Sequence, residues 1–417
     1  MTSLTKRITT ASAMVALACA ASAAEPDRAL LSAARAAQPA VIDSLRDMVA
    51  IESGTMDAAG LARIGNYAEG RLQALGAKTE RRKTTGSNGG DVVVGHFEGS
   101  GRRKLMLIAH LDTIYKPGTL TNQPYKLDGN RLYGPGIADD KGGVAVILHS
   151  LAILREAGWK DYARLTVLFN SDEESQSAGS GQTVTEFGAL HDVVLSYEPS
   201  PAKTVLKAEG VLLAAAGTGT AQIDVKGRNS HAGAAPEQGR NALMELAHQI
   251  VQTADIGKEV PGAQLNWTVA SAGKVRNQIP DEGTALADVR LTAQDAAARL
   301  KTALEAKAAN HLIPDTQVNV TIKVGRPPFA GDARTMALAK KAQAIYAELD
   351  DRPLKLIPGT GAGTDAGYAS VSGKPAVLES MGLAGWGYHA KDEYIEIDSI
   401  VPRLYLTTRM LVELGRE

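Results

Sequence analysis

Several histidines and carboxylates lie directly after short apolar runs of the sequence or beside a predicted helix start. They are His110 and Asp112, the pair Asp139 and Asp140, Asp172, Glu173 and Glu174, Glu198, and His389. The single cysteine, Cys19, lies close to the N-terminus in a leader-like segment, so the folded part of the chain offers no thiolate. Imidazole and carboxylate ligands without thiolate suit Zn²⁺ or a related divalent ion. The residue types therefore predict a divalent metal centre.

The number of candidate ligands favours two metal ions over one. A catalytic zinc usually takes three ligands from protein and leaves one position for water, whereas two ions that share a bridging carboxylate would use all the candidates. Two metals lower the pKa of a bridging water and polarise a carbonyl oxygen, which leaves proton transfer to a carboxylate that is not a ligand. The adjacent Glu173 and Glu174 fit this division, because neighbouring side chains at a strand end point in different directions.

Each group alone also has an ordinary structural interpretation. The pair His110 and Asp112 can cap a loop, the acidic run 172–174 can be a solvated turn, and His389 can be a plain loop residue. Asp139 and Asp140 can be an acidic helix start that complements the helix dipole. Their joint order and their common position at strand ends favour a shared site.

The elements that position these residues alternate between buried strands and amphipathic helices. Apolar runs at 91–95, 104–109, 165–169 and 193–195 predict strands, and apolar residues at steps of three and four predict helices within 29–77 and over 142–157. This alternation indicates an α/β fold with a mostly parallel central sheet. In such sheets ligands bind at the carboxyl ends of the strands, so the candidate residues should converge.

A second unit interrupts this fold. Between residues 216 and 325 the pattern predicts strand, helix, strand, strand, helix and strand, the order of a ferredoxin-like βαββαβ unit. The first fold then resumes, with a helix over 333–348, a strand over 376–379 and a closing helix over 400–414. We therefore predict a catalytic domain of residues 25–215 and 326–417 with an inserted lid or dimerisation domain of residues 216–325.

The first 24 residues have the pattern of a cleavable secretory signal peptide: two basic residues, an apolar run that is too short to span a membrane, and small residues at a cleavage site. A lipid anchor at Cys19 is the weaker alternative. The chain carries 45 Lys and Arg against 46 Asp and Glu, which argues against nucleic-acid binding by bulk charge. We expect a periplasmic or secreted protein with no nucleic-acid partner and no membrane partner.

Five segments together resemble the dinuclear zinc exopeptidases of the aminoacylase/carboxypeptidase family. They are residues 109–113 (AHLDT), 134–143 (GPGIADDKGG), 170–174 (NSDEE), 196–199 (SYEP) and 387–389 (GYH). The resemblance implies two Zn²⁺ per subunit. It implies the metal ligands His110, Glu174, Glu198 and His389, with Asp139 bridging the ions. It also implies that Glu173 is the general base and that Asp112 orients His110 through a hydrogen bond.

The same resemblance extends to the inserted unit. Residues 227–233 (GRNSHAG) are similar to the family's lid motif, which implies a homodimer in which His231 reaches the partner subunit's active site and stabilises the oxyanion. Positions implied to bind substrate are Asn277, Arg290, Arg326 and Thr364, the last in a glycine-rich loop. An arginine suits the α-carboxylate of a peptide C-terminus, although an ordinary ion pair is the alternative for both arginines.

The resemblance implies a metallocarboxypeptidase that hydrolyses the amide bond before a C-terminal amino acid. Glutamate, in folate-type or N-acyl-glutamate substrates, is the expected residue, with Lys207 as the candidate cation for its side chain. The apolar residues behind Lys207 could instead line a pocket for a less polar residue. The alternatives are an N-acyl-amino-acid deacylase or dipeptidase with the same mechanism, and a non-catalytic peptide-binding or amino-acid-binding protein that retains the fold.

Overall fold

The computed structural model describes residues 25–85, 90–350 and 352–417. The predicted signal peptide and Cys19 lie outside these residues. The helices are α1 (Arg28–Val49), α2 (Ala58–Ala74), α3 (Lys141–Glu156), α4 (Gly181–Leu190), α5 (Lys203–Leu206), α6 (Ala242–Thr253), α7 (Ile256–Glu259), α8 (Ala296–Ala308), α9 (Ala333–Ala347), α10 (Ala366–Ser370) and α11 (Ile400–Arg416). In the part of the chain that the structure describes, no helix is long and apolar enough to cross a membrane.

The strands range from two to ten residues. They are β1 (Lys78–Lys83), β2 (Asp91–Glu98), β3 (Lys104–His110), β4 (Lys126–Asp128), β5 (Arg131–Tyr133), β6 (Arg164–Asn170), β7 (Val193–Ser196), β8 (Ser200–Pro201), β9 (Glu209–Leu212), β10 (Ala214–Ala215), β11 (Gly217–Lys226), β12 (Ser230–His231), β13 (Ala263–Ala272), β14 (Gln278–Ile279), β15 (Glu282–Leu291), β16 (Gln317–Arg326), β17 (Phe329–Ala330), β18 (Leu354–Ile357), β19 (Ala376–Leu378), β20 (Ala384–Trp386) and β21 (Tyr394–Glu396).

A six-stranded sheet in the order β1-β2-β6-β3-β7-β19 forms the centre of the larger domain. The four strands β6, β3, β7 and β19 run parallel, and β1 and β2 form an antiparallel edge. The predicted mostly parallel sheet is therefore confirmed. Helices α1, α3 and α11 pack together on one face, and α3 is almost wholly buried. Because β3, β6 and β7 are parallel neighbours, their carboxyl ends lie side by side.

The inserted unit is a four-stranded antiparallel sheet in the order β13-β15-β11-β16. Numbered along the chain, these strands have the order 2-3-1-4, which is the ferredoxin-like arrangement and confirms that prediction. Alternate residues of β15 are buried, as expected when one face is covered by α6 and α8 and the other is open. The buried residues of this sheet form a hydrophobic cluster of their own.

Two crossings connect the units, and the chain segments at the crossings pair with each other. Strand β10 pairs with β17, so that Ala215 lies opposite Phe329. A smaller sheet in the order β4-β5-β21-β20-β8 flanks the carboxyl ends of the central strands. It carries His389 shortly after β20, and therefore brings a residue that is distant in sequence to the predicted metal centre.

Candidate metal centre and active site

The carboxyl ends of β3, β6 and β7 bring the predicted metal ligands together. His110 is the last residue of β3, Glu173 and Glu174 follow β6, and Glu198 follows β7. Asp139 lies two residues before the start of α3. Its neighbour Asp140 caps that helix by accepting a hydrogen bond from the Gly143 N–H at 3.1 Å.

The ligand atoms fall into two groups that share Asp139. On one side, His110 Nε2 lies 2.9 Å from Asp139 Oδ1 and 3.8 Å from Glu198 Oε1. On the other side, His389 Nε2 lies 3.4 Å from Asp139 Oδ2 and 3.0 Å from Glu174 Oε2. The two oxygens of Asp139 therefore face two different imidazoles, as a bridging carboxylate would.

The electrostatics of this cluster fit bound cations. Burial, with the neighbouring carboxylates of Glu173 and Asp139, raises the pKa of Glu198 well above its ordinary value. Burial also raises the pKa of Glu174. The pKa of His389 rises to about 10, chiefly because its imidazole contacts Asp139 and Glu174. Several carboxylates in one buried place repel each other, and divalent cations would offset both that repulsion and the desolvation cost. The donor set fits a pair of zinc or similar ions.

Asp112 anchors two elements of the site. Its carboxylate accepts hydrogen bonds from the backbone N–H groups of Glu173 and Glu174 at 3.0 and 3.1 Å and from the Thr55 hydroxyl at 2.8 Å. The predicted contact with His110 is only partly direct. His110 Nδ1 lies 3.0 Å from the Asp112 backbone oxygen and 3.4 Å from its carboxylate. The backbone carbonyl is thus the nearer partner, because the carboxylate turns toward the 173–174 turn.

The predicted general base is held by the predicted substrate arginine. Arg326, the last residue of β16, donates from one nitrogen to the Glu173 carboxylate and from another to the Glu173 backbone oxygen. Both side chains are buried. Burial raises the pKa of Glu173 to about 8, and the Arg326 charge opposes that rise without cancelling it. A carboxyl with this pKa can both take and give a proton near neutral pH.

Glu393 is a buried residue of the site that the sequence analysis missed. Its Oε1 accepts hydrogen bonds from the N–H groups of Ala138 and Asp139 at 2.8 and 3.0 Å. Its Oε2 accepts from the Gly136 N–H at 2.9 Å and the Tyr115 hydroxyl at 2.7 Å. Glu393 therefore fixes the loop that presents Asp139 to both imidazoles. The only sequence signal was its position shortly after His389.

A cleft of about 950 Å³ lies over the cluster, between the two domains. Asp139, Glu173, Glu174, Glu198 and His389 line its base. The open face of the inserted sheet supplies a polar wall, formed by Thr218, Thr220, Asp288, Arg290, Lys323 and Arg326. The catalytic domain adds an apolar part, formed by Pro199, Pro201, Leu206, Leu212, Ile357 and Trp386.

The predicted substrate residues are only partly brought to this cleft. Arg326, Arg290 and Thr364 line it. Arg290 is paired with Asp288 of the same strand, Nε to Oδ2, at 3.0 Å, so the ion-pair alternative describes its contacts here. Lys207 does not line the cleft. It is exposed, takes a left-handed conformation with φ of 62° at the end of α5, and borders a separate cavity beside Glu209 and Arg352.

Two predicted residues lie in the inserted domain and outside this chain's own cleft. His231 is exposed on β12, and its Nδ1 accepts hydrogen bonds from the N–H groups of Gly233 and Ala234 at 3.2 and 3.0 Å. Because Nδ1 acts as the acceptor, the ring N–H of the neutral imidazole lies on Nε2, which is free to donate a hydrogen bond. The backbone oxygen of Asn277 accepts a hydrogen bond from the Ala232 N–H at 2.9 Å, so Asn277 supports the loop that holds His231.

The family model for Peptidase family M20/M25/M40 matches residues 106–413. Carboxypeptidase G2 of Pseudomonas sp. (strain RS-16) is 44% identical over 93% of this chain and 92% of its own length. A succinyl-diaminopimelate desuccinylase of Xanthomonas oryzae pv. oryzae (strain PXO99A) is 28% identical over 89% of this chain and 99% of its own. The YXEP protein of Bacillus subtilis, a dinuclear metal-binding peptidase of the M20 family, has a similar fold with a TM-score of 0.64 at 17% identity. That alignment covers 91% of this chain and 99% of the YXEP chain.

The chain therefore belongs to Peptidase family M20/M25/M40 and is a metallopeptidase-type hydrolase. This result confirms the resemblance inferred from the sequence motifs. It also makes the non-catalytic binding protein the weaker alternative, because the general-base candidate Glu173 and four of the five ligand candidates line one cleft, and the fifth, His110, lies beside them.

Proposed function

We propose that this protein is a dizinc carboxypeptidase that hydrolyses the amide bond before a C-terminal glutamate in folate-type or N-acyl-glutamate substrates. The observation that carries the proposal is the sharing of Asp139 between two ligand groups, with Glu173 and Arg326 in contact beside them. The 44% identity to Carboxypeptidase G2 over nearly the whole chain supports a carboxypeptidase over a deacylase.

One Zn²⁺ would be held by His110, Glu198 and Asp139, and the other by Glu174, His389 and Asp139. When bound, the two ions would lower the pKa of a water between them and polarise the scissile carbonyl. Asp112 keeps the 173–174 turn and the His110 ring in place, so that the ligand geometry exists before the metal binds.

The proton transfers belong to Glu173. It takes a proton from the attacking water and then gives it to the leaving amine nitrogen. When substrate binds, Arg326 turns from Glu173 to the free α-carboxylate of the substrate. Only the amide nitrogen and Cα separate this carboxylate from the scissile carbonyl carbon. A guanidinium is suited to bind that carboxylate through two hydrogen bonds.

His231 is the proposed oxyanion donor, supplied by the partner of a homodimer. Its Nδ1 is occupied by two backbone N–H groups, so the proton sits on Nε2 and can be donated to a carbonyl oxygen. The exposure of His231 and its position outside its own chain's cleft support action in the partner's site.

The proposed domain limits are 25–215 with 326–417 for catalysis and 216–325 for the insert. The separate hydrophobic cluster of the antiparallel sheet supports these limits. The proposed location is the periplasm or the exterior, supported by the basic residues, apolar run and small residues of the first 24 positions.

A substrate panel tests this function. The zinc-loaded protein is incubated with folate, N-benzoylglutamate, N-benzoylleucine, N-acetylornithine and a simple dipeptide, with and without a chelator, and released amino acids are quantified. Chelator-sensitive release of glutamate from the first two substrates is the expected result. Release of amino acid only from N-acetylornithine or the dipeptide would replace the proposal by the deacylase or dipeptidase alternative.

A further inference from the structure

Lys323 is a cation in the cleft that the mechanism above leaves unused. It lies on β16 and lines the cleft with its side chain exposed to the opening. Among the residues that the structure describes, Lys323 has no salt bridge. The two other cations of the wall are engaged: Arg290 pairs with Asp288, and Arg326 contacts Glu173.

The register of the inserted sheet places Lys323 on the same face as Arg326. Thr218 pairs with Arg326 and Thr220 pairs with Lys323, and residues two apart on β11 point to the same side. The bulge between Thr218 and Gly219 makes this possible, because Gly325 is the extra residue that brings Arg326 onto the open face. Without the bulge, Arg326 and Lys323 would face opposite sides of the sheet.

This geometry sets the spacing of the two cations. The Cα atoms of Arg326 and Lys323 lie opposite two residues of β11 that are two positions apart, which corresponds to about 7 Å along the strand. The two carboxyl carbons of an extended glutamate are about 5 Å apart, at ~1.5 Å per C–C bond. The flexible lysine stem covers the difference. An arginine and a lysine on one face at this distance match a dicarboxylic amino acid.

Contacts between the domains fix this end of the wall against the catalytic domain. The Thr218 hydroxyl donates to Gln176 Oε1 at 3.1 Å, and the Tyr368 hydroxyl donates to the Gly325 backbone oxygen at 2.7 Å. Lys323 is therefore held at a defined place relative to Glu173. The apolar part of the cleft, which carries Leu212, Ile357 and Trp386, is left for the acyl group.

We propose that Lys323 binds the side-chain carboxylate of the C-terminal residue and makes the enzyme select glutamate, while Arg326 binds the α-carboxylate. This inference rests on the carboxypeptidase function proposed above. Lys323 takes the role that the sequence analysis gave to Lys207, which borders a separate cavity and does not line the cleft in this structure. The substrate class is an N-acyl amino acid with an anionic side chain of glutamate's length.

The test compares three substrates that share an acyl group: N-benzoylglutamate, N-benzoylglutamine and N-benzoylleucine. The zinc-loaded variants are Lys323→Met, Lys323→Arg and, as a matched control, Lys301→Met on α8, which covers the opposite face of the sheet. The measured quantity is kcat/KM. Isothermal titration in a Glu173→Ala background gives the affinity for the same ligands without turnover.

We expect Lys323→Met to lower kcat/KM and affinity for N-benzoylglutamate about 10- to 100-fold, the range for one hydrogen bond to a charged group. The values for the glutamine and leucine substrates should change less than about threefold. Lys323→Arg should retain the preference for glutamate, and Lys301→Met should match the wild type.

For the Lys323→Met variant, two results would overturn the proposal and leave the carboxypeptidase function intact. One is an unchanged preference for glutamate in Lys323→Met, and the other is an equal loss for all three substrates. A wild-type enzyme that prefers the leucine substrate would also exclude Lys323 as a selector of glutamate. Failure of the wild type to cleave any of the three would refute the proposed function itself, and this inference with it.

Discussion

Glu393 holds the loop of the bridging carboxylate, and its replacement by glutamine should weaken metal binding more than any single contact suggests. The carboxylate accepts four hydrogen bonds, two on each oxygen: from Ala138 and Asp139, and from Gly136 and Tyr115. A glutamine side chain has only one acceptor oxygen, and its amide nitrogen is a donor that cannot accept hydrogen bonds. Two of the four donors would therefore lose their acceptor.

The expected size of the effect follows from that count. A hydrogen bond to a charged group contributes about 1.5–3 kcal/mol, and a buried donor left without a partner costs about as much. Because the Tyr115 hydroxyl can rotate and accept instead, we expect a total loss of about 2–4 kcal/mol for Glu393→Gln. Part of this loss should appear as a zinc affinity about 10- to 100-fold lower, since the loop must be ordered to present Asp139.

The assay is a competition titration with a zinc chelator, combined with denaturant unfolding of the metal-free protein. Tyr115→Phe is the matched control, because it removes one of the four hydrogen bonds and keeps the carboxylate. It should lower zinc affinity only severalfold. A Glu393→Gln protein with wild-type zinc affinity and wild-type unfolding free energy would show that the Asp139 loop needs no such anchor.

Three further predictions follow from the site and the core. Glu173→Ala should keep its zinc and lose turnover by about 10²–10⁴-fold, because it removes proton transfer without removing a ligand; a near-normal rate would exclude Glu173 as the base. His231→Ala should lose turnover with full zinc content, and heterodimers with His110→Ala should regain some activity; no recovery in verified heterodimers would refute sharing of the site. Burial lowers the pKa of His149 and His191 to about 4. When the pH is lowered from ~6.5 to about 4, these histidines take up protons in the unfolded chain but stay neutral in the folded protein. The unfolding free energy should therefore fall by about 1.4 kcal/mol for each unit by which the pH is lowered, for each histidine. His191→Gln should remove one histidine's share of that slope, and an unchanged slope would contradict the assignment.

Long, periodic elements could be predicted well from the sequence. Helix α3 (Lys141–Glu156) begins and ends within one residue of the predicted bounds 142–157, and the strands β3, β6 and β7 end within one residue of the predicted ends. The convergence of His110, Glu173, Glu174 and Glu198 also followed, because the carboxyl ends of parallel strands meet at one edge of a sheet.

Features that depend on tertiary contacts could not be predicted in this way. Glu393 acts on a loop 254 residues earlier in the chain, a contact that no local spacing reports. Strands of two to four residues, such as β8, β20 and β21, are too short to show a period. The position of Lys207 depended on a left-handed turn at a non-glycine residue, and the placement of Arg326 on the same face as Lys323 depended on a bulge in their strand.

Zinc titration of the metal-free protein, with bound metal and glutamate release measured on the same samples, tests the shared metal centre most directly. Activity should reach its maximum at about two zinc ions per chain, the number expected for a centre with one bridging carboxylate. Asp139→Asn should lose both tight binding and activity, since it weakens both ligand groups. Full activity at one equivalent, or a fully active Asp139→Asn protein, would contradict the account.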